Sequence, residues 1–482
     1  MGRTTRRTFL RSAAASSAAM VCVKKSSAWG QIPNQLPNKD RSLRAWLTAG
    51  DQRYQEISLS SWQTPSSDAR EMPSASIEVD PTKSFQTVLG FGAALTDASC
   101  YLLSRMEPAQ RHQLLGEFFS PSGLQFSIAR TCIGSSDYSR SPYTFDDSSA
   151  PDPELTHFSI EHDRAYILPT LREAVQIQPD LFFVSTPWSP PAWMKAGDSL
   201  FGGSMRKHYF KSYADYFVKF IEGYRDSGIH IRAVTVQNEV DTDQDGRMPA
   251  ALWGQEYEAE FIKEFLGPAL SSASLDTNIW LLDHNYNLWG RVMDLLSDPD
   301  VYRYVDGVAW HPYVGQPDAM TRVHSAYPSK AAYYTEGGQF ITDADYLTGW
   351  AKWSASYAQI LKNWARCIVS WNLVLDENGG PNIGPFNCGG LVTFNSRTHQ
   401  LSRSGQYWAF AHYSKTVQRG ARLIWTRSSL PEVEHVAFIN PDGSYVLVLT
   451  NQGKECKVEC RFEGKSLQAS LPADSVLTLH WA

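Results

Sequence analysis

Eight short apolar runs, separated by helical patterns, constrain the fold of this chain more than any other feature of its sequence. The runs cover residues 88–93, 125–132, 181–186, 231–237, 278–283, 306–310, 332–335 and 367–374. Between them, apolar residues recur three and four apart, which is typical of helices with one buried face. The clearest of these helical stretches are residues 108–119, 209–226, 255–270 and 348–364. Strands that alternate with helices build a parallel sheet, and eight of them close a (β/α)8 barrel, so we predict an α/β fold of this type.

The alternative is an open, doubly wound sheet. Such a sheet usually binds a nucleotide on a glycine-rich loop after its first strand. Gly90-Phe91-Gly92 occupies that place but lacks the remaining glycine and the helix context of such a loop. The barrel is therefore favoured.

The two ends of the chain have a different pattern. Short β-like runs occur at residues 45–48, 55–59 and 75–79, and after a last helix at 405–417 they recur at 436–440, 445–450, 456–462 and 475–481. Pro441-Asp442-Gly443 is a hairpin signal between two of the later runs. We predict a β-sandwich assembled from both ends, with residues 44–84 joining residues 419–482 and the barrel occupying 85–418.

Residues 1–28 are predicted to be an export signal. They have a basic start, a weakly apolar stretch at 13–23 that is too short to cross a bilayer, and small residues near the end. The run Arg6-Arg7-Thr8-Phe9-Leu10 is similar to a twin-arginine signal, and an ordinary secretory signal or a basic tail is the alternative. Residues 29–43 have the composition of a linker. The protein is then expected in the periplasm or outside the cell, without a transmembrane segment.

The net charge of the chain limits the kinds of molecule that it is expected to bind. The formal net charge is −6, and removal of residues 1–28 would take away six basic and no acidic residues, leaving −12. An acidic surface repels phosphate backbones and anionic membranes, so nucleic acid is not expected as a partner and a neutral substrate is favoured. The sequence does not indicate an oligomeric state.

Six cysteines remain outside the signal, and none has the CxxC spacing of a metal site. Export in the folded state by the twin-arginine route would not require disulfides, because folding then takes place in a reducing compartment. We expect mostly free, buried thiols.

Two glutamates close apolar runs and are the candidate catalytic groups. Glu239 lies in VTVQNEV (234–240) and Glu336 in AYYTEGG (332–338), about 97 residues further on. At about 32 residues for each βα unit, this spacing corresponds to strands four and seven of a barrel. Both carboxylates would then lie at the C-terminal face, where barrel active sites are built. A single glutamate at a strand end is more often solvated or a cap, whereas cleavage of a glycosidic bond requires a pair.

Seven motifs in order resemble glycoside hydrolase family 30, on its glucosylceramidase side, from about residue 84 to the C-terminus. They are GFGAALTDAS (90–99), ARTCIGSSDYS (129–139), STPWSPPAWMK (185–195), TVQNEV (235–240), WHPY (310–313), YYTEGG (333–338) and SWNLVLDENGGP (370–381). The resemblance implies a TIM barrel with an attached β-sandwich. It also implies retaining hydrolysis of β-glycosides and no metal or organic cofactor.

Position by position, the resemblance implies two catalytic roles. Glu239 matches the general acid/base and Glu336 matches the nucleophile. Glu336 would attack as the ionised group and form a covalent glycosyl-enzyme, while Glu239 would protonate the leaving group and then act as a base toward water.

The resemblance also implies a sugar pocket. Asp97 matches an aspartate that binds sugar hydroxyls, with a helix N-cap as the alternative role. Trp188 and Trp371 match tryptophans that line the same pocket, and barrel core is the alternative for both. Asn238 matches an asparagine that bonds the sugar 2-hydroxyl.

Three further residues follow from the match. His311 and Tyr313 border the nucleophile, and Tyr313 could position Glu336 by a hydrogen bond, while a structural role is the alternative for His311. The chain departs from the family pattern at NIGPFNCGGLV (382–392), where Asn387 is the nearest candidate for the pocket asparagine. Because this loop helps to set substrate choice, the substrate is less firmly predicted than the chemistry.

Three functions remain open from the sequence. The first is hydrolysis of terminal β-glucosidic bonds of the glucosylceramidase type, with a carbohydrate or glycolipid as substrate. The second is an endo-β-1,6-glucanase or a β-xylosidase of the same family. The third, a non-catalytic carbohydrate-binding barrel, is disfavoured because both carboxylates are present.

Overall fold

The computed structural model describes residues 43–64 and 75–482. The predicted export signal at 1–28 and all but the last residue of the predicted linker lie outside the described residues. Within those two ranges, no helix combines the length and the apolar character needed to cross a membrane.

The described residues form twenty strands. Their bounds are β1 Arg44–Ala49, β2 Gln52–Ile57, β3 Ser76–Thr87, β4 Gly90–Ala94, β5 Ile128–Cys132, β6 Phe182–Thr186, β7 Ile231–Thr235, β8 Asn278–Asn285, β9 Val305–His311, β10 Ala331–Tyr334, β11 Ala365–Ser370, β12 Val374–Asp376, β13 Val392–Phe394, β14 Leu401–Arg403, β15 Arg422–Ser428, β16 Val433–Ile439, β17 Tyr445–Asn451, β18 Cys456–Phe462, β19 Lys465–Leu471 and β20 Ser475–Trp481.

Eleven α-helices occur in the same part of the chain. Their bounds are α1 Asp97–Arg105, α2 Pro108–Phe119, α3 Ile167–Ile177, α4 Phe210–Asp226, α5 Gln255–Glu260, α6 Gly267–Ser272, α7 Trp289–Ser297, α8 Pro299–Tyr304, α9 Asp318–Ala326, α10 Trp350–Lys362 and α11 Gly405–Ser414.

Strands β4 to β11 form a closed barrel in chain order, in which every pair is parallel. The ring closes where β11 pairs with β4, with Val369 opposite Gly92. Each of the eight predicted apolar runs contains most or all of one barrel strand, so the predicted (β/α)8 barrel is confirmed.

Side chains fill the lower part of the barrel. Trp280 stacks on Tyr333 with ring centroids 3.7 Å apart, and both rings lie in a buried apolar cluster. Rings of this size fit because small residues lie beside them: a Cβ on Gly307 would be 2.7 Å from the Tyr333 ring. Since the barrel is packed below, only the C-terminal ends of its strands are left to form a cavity.

The remaining long sheet has nine strands in the order β19-β18-β3-β15-β16-β17-β20-β1-β2. Strands from the two halves of this sheet contribute to one apolar core, for example Leu47 of β1, Leu477 of β20 and Leu467 of β19. The sheet therefore folds over on itself as two layers. Because β1 to β3 precede the barrel in the chain and β15 to β20 follow it, the predicted β-sandwich built from both ends is confirmed.

The structure differs from the sequence prediction in several elements, including β12, β13 and β14, which were not predicted. The predicted helix at 255–270 is divided by a π-helical segment, Phe261–Leu266, because Pro268 follows and has no N–H to donate to the preceding turn. Strands β15 and β19 were not predicted. In β19, KSLQASL alternates buried and exposed positions, but serine and alanine make that alternation weak in hydropathy.

A small sheet of β12, β13 and β14 lies beside α1. Its first two strands flank residues 377–391, so the segment that departs from the family pattern is anchored at both ends. The six cysteines of the described ranges are free thiols, and three of them are fully buried.

Candidate active site

A polar layer lies above the apolar layer of the barrel, and Asp283 of β8 is its centre. One oxygen of this carboxylate accepts hydrogen bonds from Arg130, Thr186 and Thr235, at 2.8 to 2.9 Å. The other accepts from Thr335 at 2.6 Å and from His311 at 3.1 Å. Burial would raise the pKa of Asp283, but the charge of Arg130 and these hydrogen bonds outweigh it and hold the pKa well below its usual value. Asp283 is therefore ionised inside the barrel.

Arg130 of β5 connects this layer to the candidate catalytic groups. Its side chain is fully buried and donates to Asp283, to Asn238 Oδ1 at 2.8 Å and to Glu336 Oε2 at 2.5 Å. Burial lowers the pKa of Arg130, but the negative charges of Asp283 and Glu336 outweigh this effect. The pKa of Arg130 is therefore above its usual value. The Arg130 guanidinium thus fixes the positions of three side chains that come from different parts of the barrel.

Glu336 follows β10 and is held at both oxygens. Oε2 accepts from Arg130, and Oε1 accepts from the Tyr313 hydroxyl at 2.8 Å. Only 6% of the residue is exposed. Its carboxylate is therefore oriented before any substrate arrives.

Glu239 lies four residues beyond the end of β7, in the left-handed backbone region with φ 54°. Its backbone N–H donates to the carbonyl of Asp283 at 3.0 Å, and its Oε2 accepts from Gln244 at 2.6 Å. Asp283 also has a positive φ, 51°, at an irregularity in the pairing of β8 with β9. Strained backbone of this kind persists where the surrounding contacts over-determine it, and here it sets the direction of Glu239.

His311 brings the two glutamates together. Its Nδ1 lies 3.5 Å from Glu239 Oε1 and 3.9 Å from Glu336 Oε1, so these two oxygens cannot be further apart than the sum of those distances. Burial lowers the pKa of His311, but the charge of Glu336, the hydrogen bond to Asp283 and the nearby Glu239 carboxylate raise it to about 9. His311 is therefore a buried imidazolium.

The pKa of Glu239 lies below its usual value. Burial would raise it, but a hydrogen bond from His311 and the charges of His284 and His311 outweigh that effect. His284 is itself paired with Asp241, with 2.5 Å between Nε2 and Oδ1. The proton thus resides on the imidazole, and Glu239 is the anion.

The protonation of His311 predicts a pH-dependent stability. Its pKa is raised from about 6.5 in the unfolded chain to about 9 in the folded one, so the stabilisation is fully present below about pH 6.5 and is lost as pH rises through 9. We expect the free energy of unfolding to fall by up to about 3 kcal/mol over this range through His311. Urea denaturation at pH 6, 7, 8 and 9 measures it. Substitution His311→Gln should flatten the slope, and an unchanged slope in that variant would contradict the assignment.

A cavity of about 600 Å³ opens above these groups. Trp188 and Trp371 line it with their rings stacked at 5.1 Å, and the Arg130 guanidinium lies 4.8 Å from the Trp188 ring. The other lining residues are Asp137, Asn238, Glu239, Asp241, Thr242, Gln244, Met248, His284, Asn285, Asn287, Tyr313, Val314, Glu336, Gly338, Gln339, Phe340, Phe386 and Cys388.

Seven of the nine residues singled out in the sequence come together here. Glu239, Glu336, Trp188, Trp371, Asn238 and Tyr313 line the cavity, and His311 lies directly beneath the carboxylates. The aromatic and amide side chains adjoin both glutamates, as the family resemblance implies.

Asp97 does not line the cavity. It is 3% exposed, its Oδ2 accepts from the Tyr166 hydroxyl at 2.8 Å, and its Oδ1 accepts from the Arg140 backbone at 3.0 Å. It is not the N-cap of α1 either, because Thr96 is that cap and accepts from the backbone N–H of Ser99. The family resemblance matched this carboxylate to a sugar-binding residue, whereas here both of its oxygens accept hydrogen bonds from within the protein.

Asn387 does not line the cavity either. It is exposed, whereas its neighbours Phe386 and Cys388 face the cavity. Its backbone carbonyl accepts from Ile341, which fixes the loop rather than directing the amide inward.

Sequence reasoning missed Arg130, Asp283, Gln244, His284 and Asp137. Two of them carried a usable signal: Asp283 closes an apolar run in the same way as Glu239, and Arg130 is a charge inside a buried strand. Gln244 and Asp137 belong to connections, whose direction is set only by tertiary contacts, and His284 follows Asp283 at the end of β8.

Two groups in the described ranges have the spacing of metal ligands. The first is Glu239, His284 and His311, whose ligand atoms lie within 4.8 Å of one another. A cation could bind His311 there only by displacing its proton, which the ring holds up to about pH 9. The second is Asp146, Asp152 and His157, in the connection after β5. There the His157 ring is bonded to Asp152 at 2.8 Å.

A parallel barrel that presents paired carboxylates and stacked tryptophans at the C-terminal ends of its strands defines a carbohydrate-cleaving enzyme. The chain belongs to glycosyl hydrolase family 30. Residues 88–417 match the TIM-barrel domain of that family, and residues 420–479 match its beta sandwich domain. The protein is therefore a glycoside hydrolase.

The relatives of this chain include proteins named as endo-1,6-beta-glucanases and proteins named as glucosylceramidases. It is 33% identical over 433 residues to an endo-1,6-beta-D-glucanase of Neurospora crassa, covering 85% of this chain and 88% of the relative. It is 30% identical over 403 residues to the lysosomal acid glucosylceramidase of Mus musculus, covering 79% and 78%.

Two solved structures have the same fold over most of this chain. An endo-beta1,6-glucanase superposes with a TM-score of 0.83 at 31% identity, covering 91% of this chain and 99% of that one. SrfJ from Salmonella typhimurium superposes with a TM-score of 0.86 at 27% identity, with the same coverage.

Proposed function

We propose that this protein is a retaining glycosidase that cleaves β-1,6-linked glucan. The observation that carries the chemistry is the position of Glu239 and Glu336, which face the same buried imidazolium from within 4 Å. Two carboxyl groups that share one small cavity are what a retaining mechanism needs, with about 5 to 5.5 Å between them.

In the first step Glu336 attacks the anomeric carbon. A C–O bond forms between Glu336 and the sugar, and the bond to the leaving sugar breaks. The carboxylate is suited to attack because Arg130 and Tyr313 orient both of its oxygens. Water later attacks the same carbon and releases Glu336.

Glu239 carries the proton in both steps. Since the imidazolium N–H of His311 lies 3.5 Å from Glu239 Oε1, the proton given to the leaving oxygen can come from His311 through Glu239. As Glu336 becomes an ester it loses its charge, which lowers the affinity of His311 for that proton. Glu239 then acts as the base that activates water.

The substrate is proposed from two observations. The relatives named endo-1,6-beta-glucanases cover most of this chain. The cavity also continues outward to Tyr313 and Phe340, each 47% exposed, which offer ring faces for further sugars of a polymer.

Glucosylceramide is the second candidate. Val314, 52% exposed, and Phe340 give the cavity an apolar rim that would also suit a lipid chain. The mouse relative named a glucosylceramidase supports this alternative.

The deciding experiment compares initial rates on β-1,6-linked glucan, β-1,3-linked glucan, an aryl β-glucoside, an aryl β-xyloside and glucosylceramide. We expect kcat/KM to be highest on the β-1,6-linked glucan, and the first product to have the β configuration by NMR. Preferred turnover of glucosylceramide or of the xyloside would overturn the glucan assignment. An α-configured first product would overturn the retaining mechanism.

A further inference from the structure

A second cluster of charged side chains lies in the connection between β5 and α3, apart from the catalytic groups. Asp146, Asp152 and His157 each offer one ligand atom to it, and these three atoms lie within 4.8 Å of one another. None of the three residues lines the catalytic cavity. Asp146 and Asp152 are 1% and 8% exposed, whereas the His157 side chain is 68% exposed. The cluster therefore joins two buried carboxyl groups to one accessible imidazole.

Asp146 is the member of this cluster that the chain leaves unsatisfied. Within residues 43–64 and 75–482, it is the one carboxyl group whose two oxygens are both buried and without a hydrogen-bond partner. Other buried carboxylates are occupied: Glu258, for example, accepts from the Arg291 side chain and from the backbone N–H of Leu282. A buried carboxyl group without a partner is costly. Something that the chain itself does not supply is therefore expected to bind Asp146.

The electrostatics of the cluster favour a positive charge. Burial and the negative charge of Asp152 raise the pKa of Asp146 to about 6, although the ring N–H of Trp193 and the backbone N–H of Ser148 act to lower it. Burial would also raise the pKa of Asp152, but the hydrogen bonds that it accepts outweigh this effect and lower it. Just above neutral pH, two neighbouring carboxylates are thus ionised inside the protein. A cation bound between them would remove their repulsion.

Both carboxylates are held in place by the surrounding backbone and side chains. The carbonyl of Asp146 accepts from the ring N–H of Trp193 at 3.1 Å. The carboxylate of Asp152 accepts from the Thr156 hydroxyl at 3.0 Å and from the backbone N–H of His157 at 2.8 Å. The exposed imidazole is therefore the part of the site that a cation has to order.

The donor set selects the kind of cation. Carboxylate oxygens and imidazole nitrogens at about 2.0 to 2.2 Å are typical ligands of Zn²⁺, whereas Ca²⁺ takes six to eight oxygens. The ligands of a tetrahedral Zn²⁺ lie roughly 3.4 Å apart, so side-chain movements of about 1 Å would close the cluster. The exposed His157 side chain has room for such a movement. Binding would displace the proton held between His157 Nδ1 and Asp152 Oδ2, which lie 2.8 Å apart.

We propose that Asp146, Asp152 and His157 bind one divalent cation, with Zn²⁺ preferred over Ca²⁺, and that water completes its coordination. The role of this cation is structural. It joins the two ends of the segment 146–157 and, through Asp146, attaches that segment to Trp193, which lies five residues after Trp188 of the catalytic cavity. The proposal does not depend on the proposed glucan substrate.

The test titrates Zn²⁺ alone, without substrate, into the full-length enzyme after removal of metals with a chelator. Calorimetry at pH 7.5 measures the affinity, and thermal unfolding with and without Zn²⁺ measures the stabilisation. We expect one Zn²⁺ per chain to bind at this site and to raise the Tm of the wild type, because a ligand that binds only the folded state stabilises it. Asp146→Asn and His157→Ala should each weaken that binding by at least about tenfold and reduce the rise in Tm.

A matched control separates this site from other zinc-binding groups. His112 is also an exposed histidine beside a carboxylate, with 3.2 Å between its Nδ1 and Glu173, but it has no second carboxyl group in reach of a shared cation. His112→Ala should therefore bind Zn²⁺ as the wild type does. Zinc held elsewhere, for example by free thiols, remains in every variant and cancels in the comparison. Since the His157 side chain is exposed, His157→Ala should fold even if Asp146→Asn does not.

Three results would overturn the proposal. The first is equal Zn²⁺ binding by the wild type, Asp146→Asn and His157→Ala. The second is tighter binding of Ca²⁺ than of Zn²⁺, or loss of Zn²⁺ from Asp146→Asn but not from His157→Ala, because either would remove the imidazole from the donor set. The third is a wild type that binds no Zn²⁺ at this site, in which case Asp146 is satisfied by a proton. Failure of the enzyme on β-1,6-linked glucan would leave all of these measurements intact.

Discussion

Substitution Glu336→Gln is expected to lower kcat on β-glucosides by at least about 10⁴-fold, because the amide cannot attack the anomeric carbon. The amide has nearly the shape of the carboxylate and still offers an oxygen to Arg130, which also keeps its bond to Asp283. The variant should therefore fold. Initial rates on an aryl β-glucoside, with circular dichroism as the check on folding, measure the effect.

The shorter variant Glu336→Ala gives a positive control. It leaves space beneath the sugar, into which azide can enter and form a C–N bond while the aglycone leaves. The product is expected to be the α-glycosyl azide, because azide attacks from the side that Glu336 occupied. Undiminished turnover in Glu336→Gln, or a β-glycosyl azide from Glu336→Ala, would remove Glu336 as the nucleophile.

Substitution Glu239→Gln is expected to lower the rate in a manner that depends on the leaving group. On the glucan, whose leaving alkoxide needs a proton, the loss should be roughly 10³- to 10⁴-fold. On a dinitrophenyl β-glucoside, whose phenolate leaves unaided, formation of the glycosyl-enzyme should slow by less than about tenfold. Steady-state rates on the glucan and the burst of dinitrophenolate measure the two effects.

The variant Glu239→Ala distinguishes the role of this residue from that of Glu336. Azide is expected to accelerate it by attacking the glycosyl-enzyme, and the product should be the β-glycosyl azide. Equal losses of Glu239→Gln on both leaving groups would show that Glu239 is not the acid.

Much of the fold could be predicted because it depends on short-range patterns. An apolar run bounded by helical periodicity identifies a barrel strand without knowledge of its neighbours, and all eight were found. The structure differs from the prediction where the hydropathy pattern is weak or where a proline interrupts a helical pattern. Strand β19 alternates serine and alanine with leucine, and Pro268 alters hydrogen bonding inside a continuous helical pattern.

The candidate site was predictable to the extent that its residues end strands. Glu239 and Glu336 follow strands whose C-terminal ends meet at one face, so their proximity follows from the topology alone. Asp97 shows the limit of this reasoning. It also lies just after a strand, β4, yet its carboxylate is taken up by Tyr166 and by the backbone of Arg140.

The sequence by itself therefore determined the barrel, the sandwich at the two chain ends, and the two carboxylates that face one cavity. Only the tertiary structure decided the pKa of Glu239, the orientation of Glu336 and which other carboxyl group lines their cavity. The reason is that strand periodicity is local, whereas pKa and side-chain direction depend on partners from distant segments. His311 and His284 lower the pKa of Glu239, and Arg130 fixes the direction of Glu336. The loop at 382–388 presents Asp137 to the cavity.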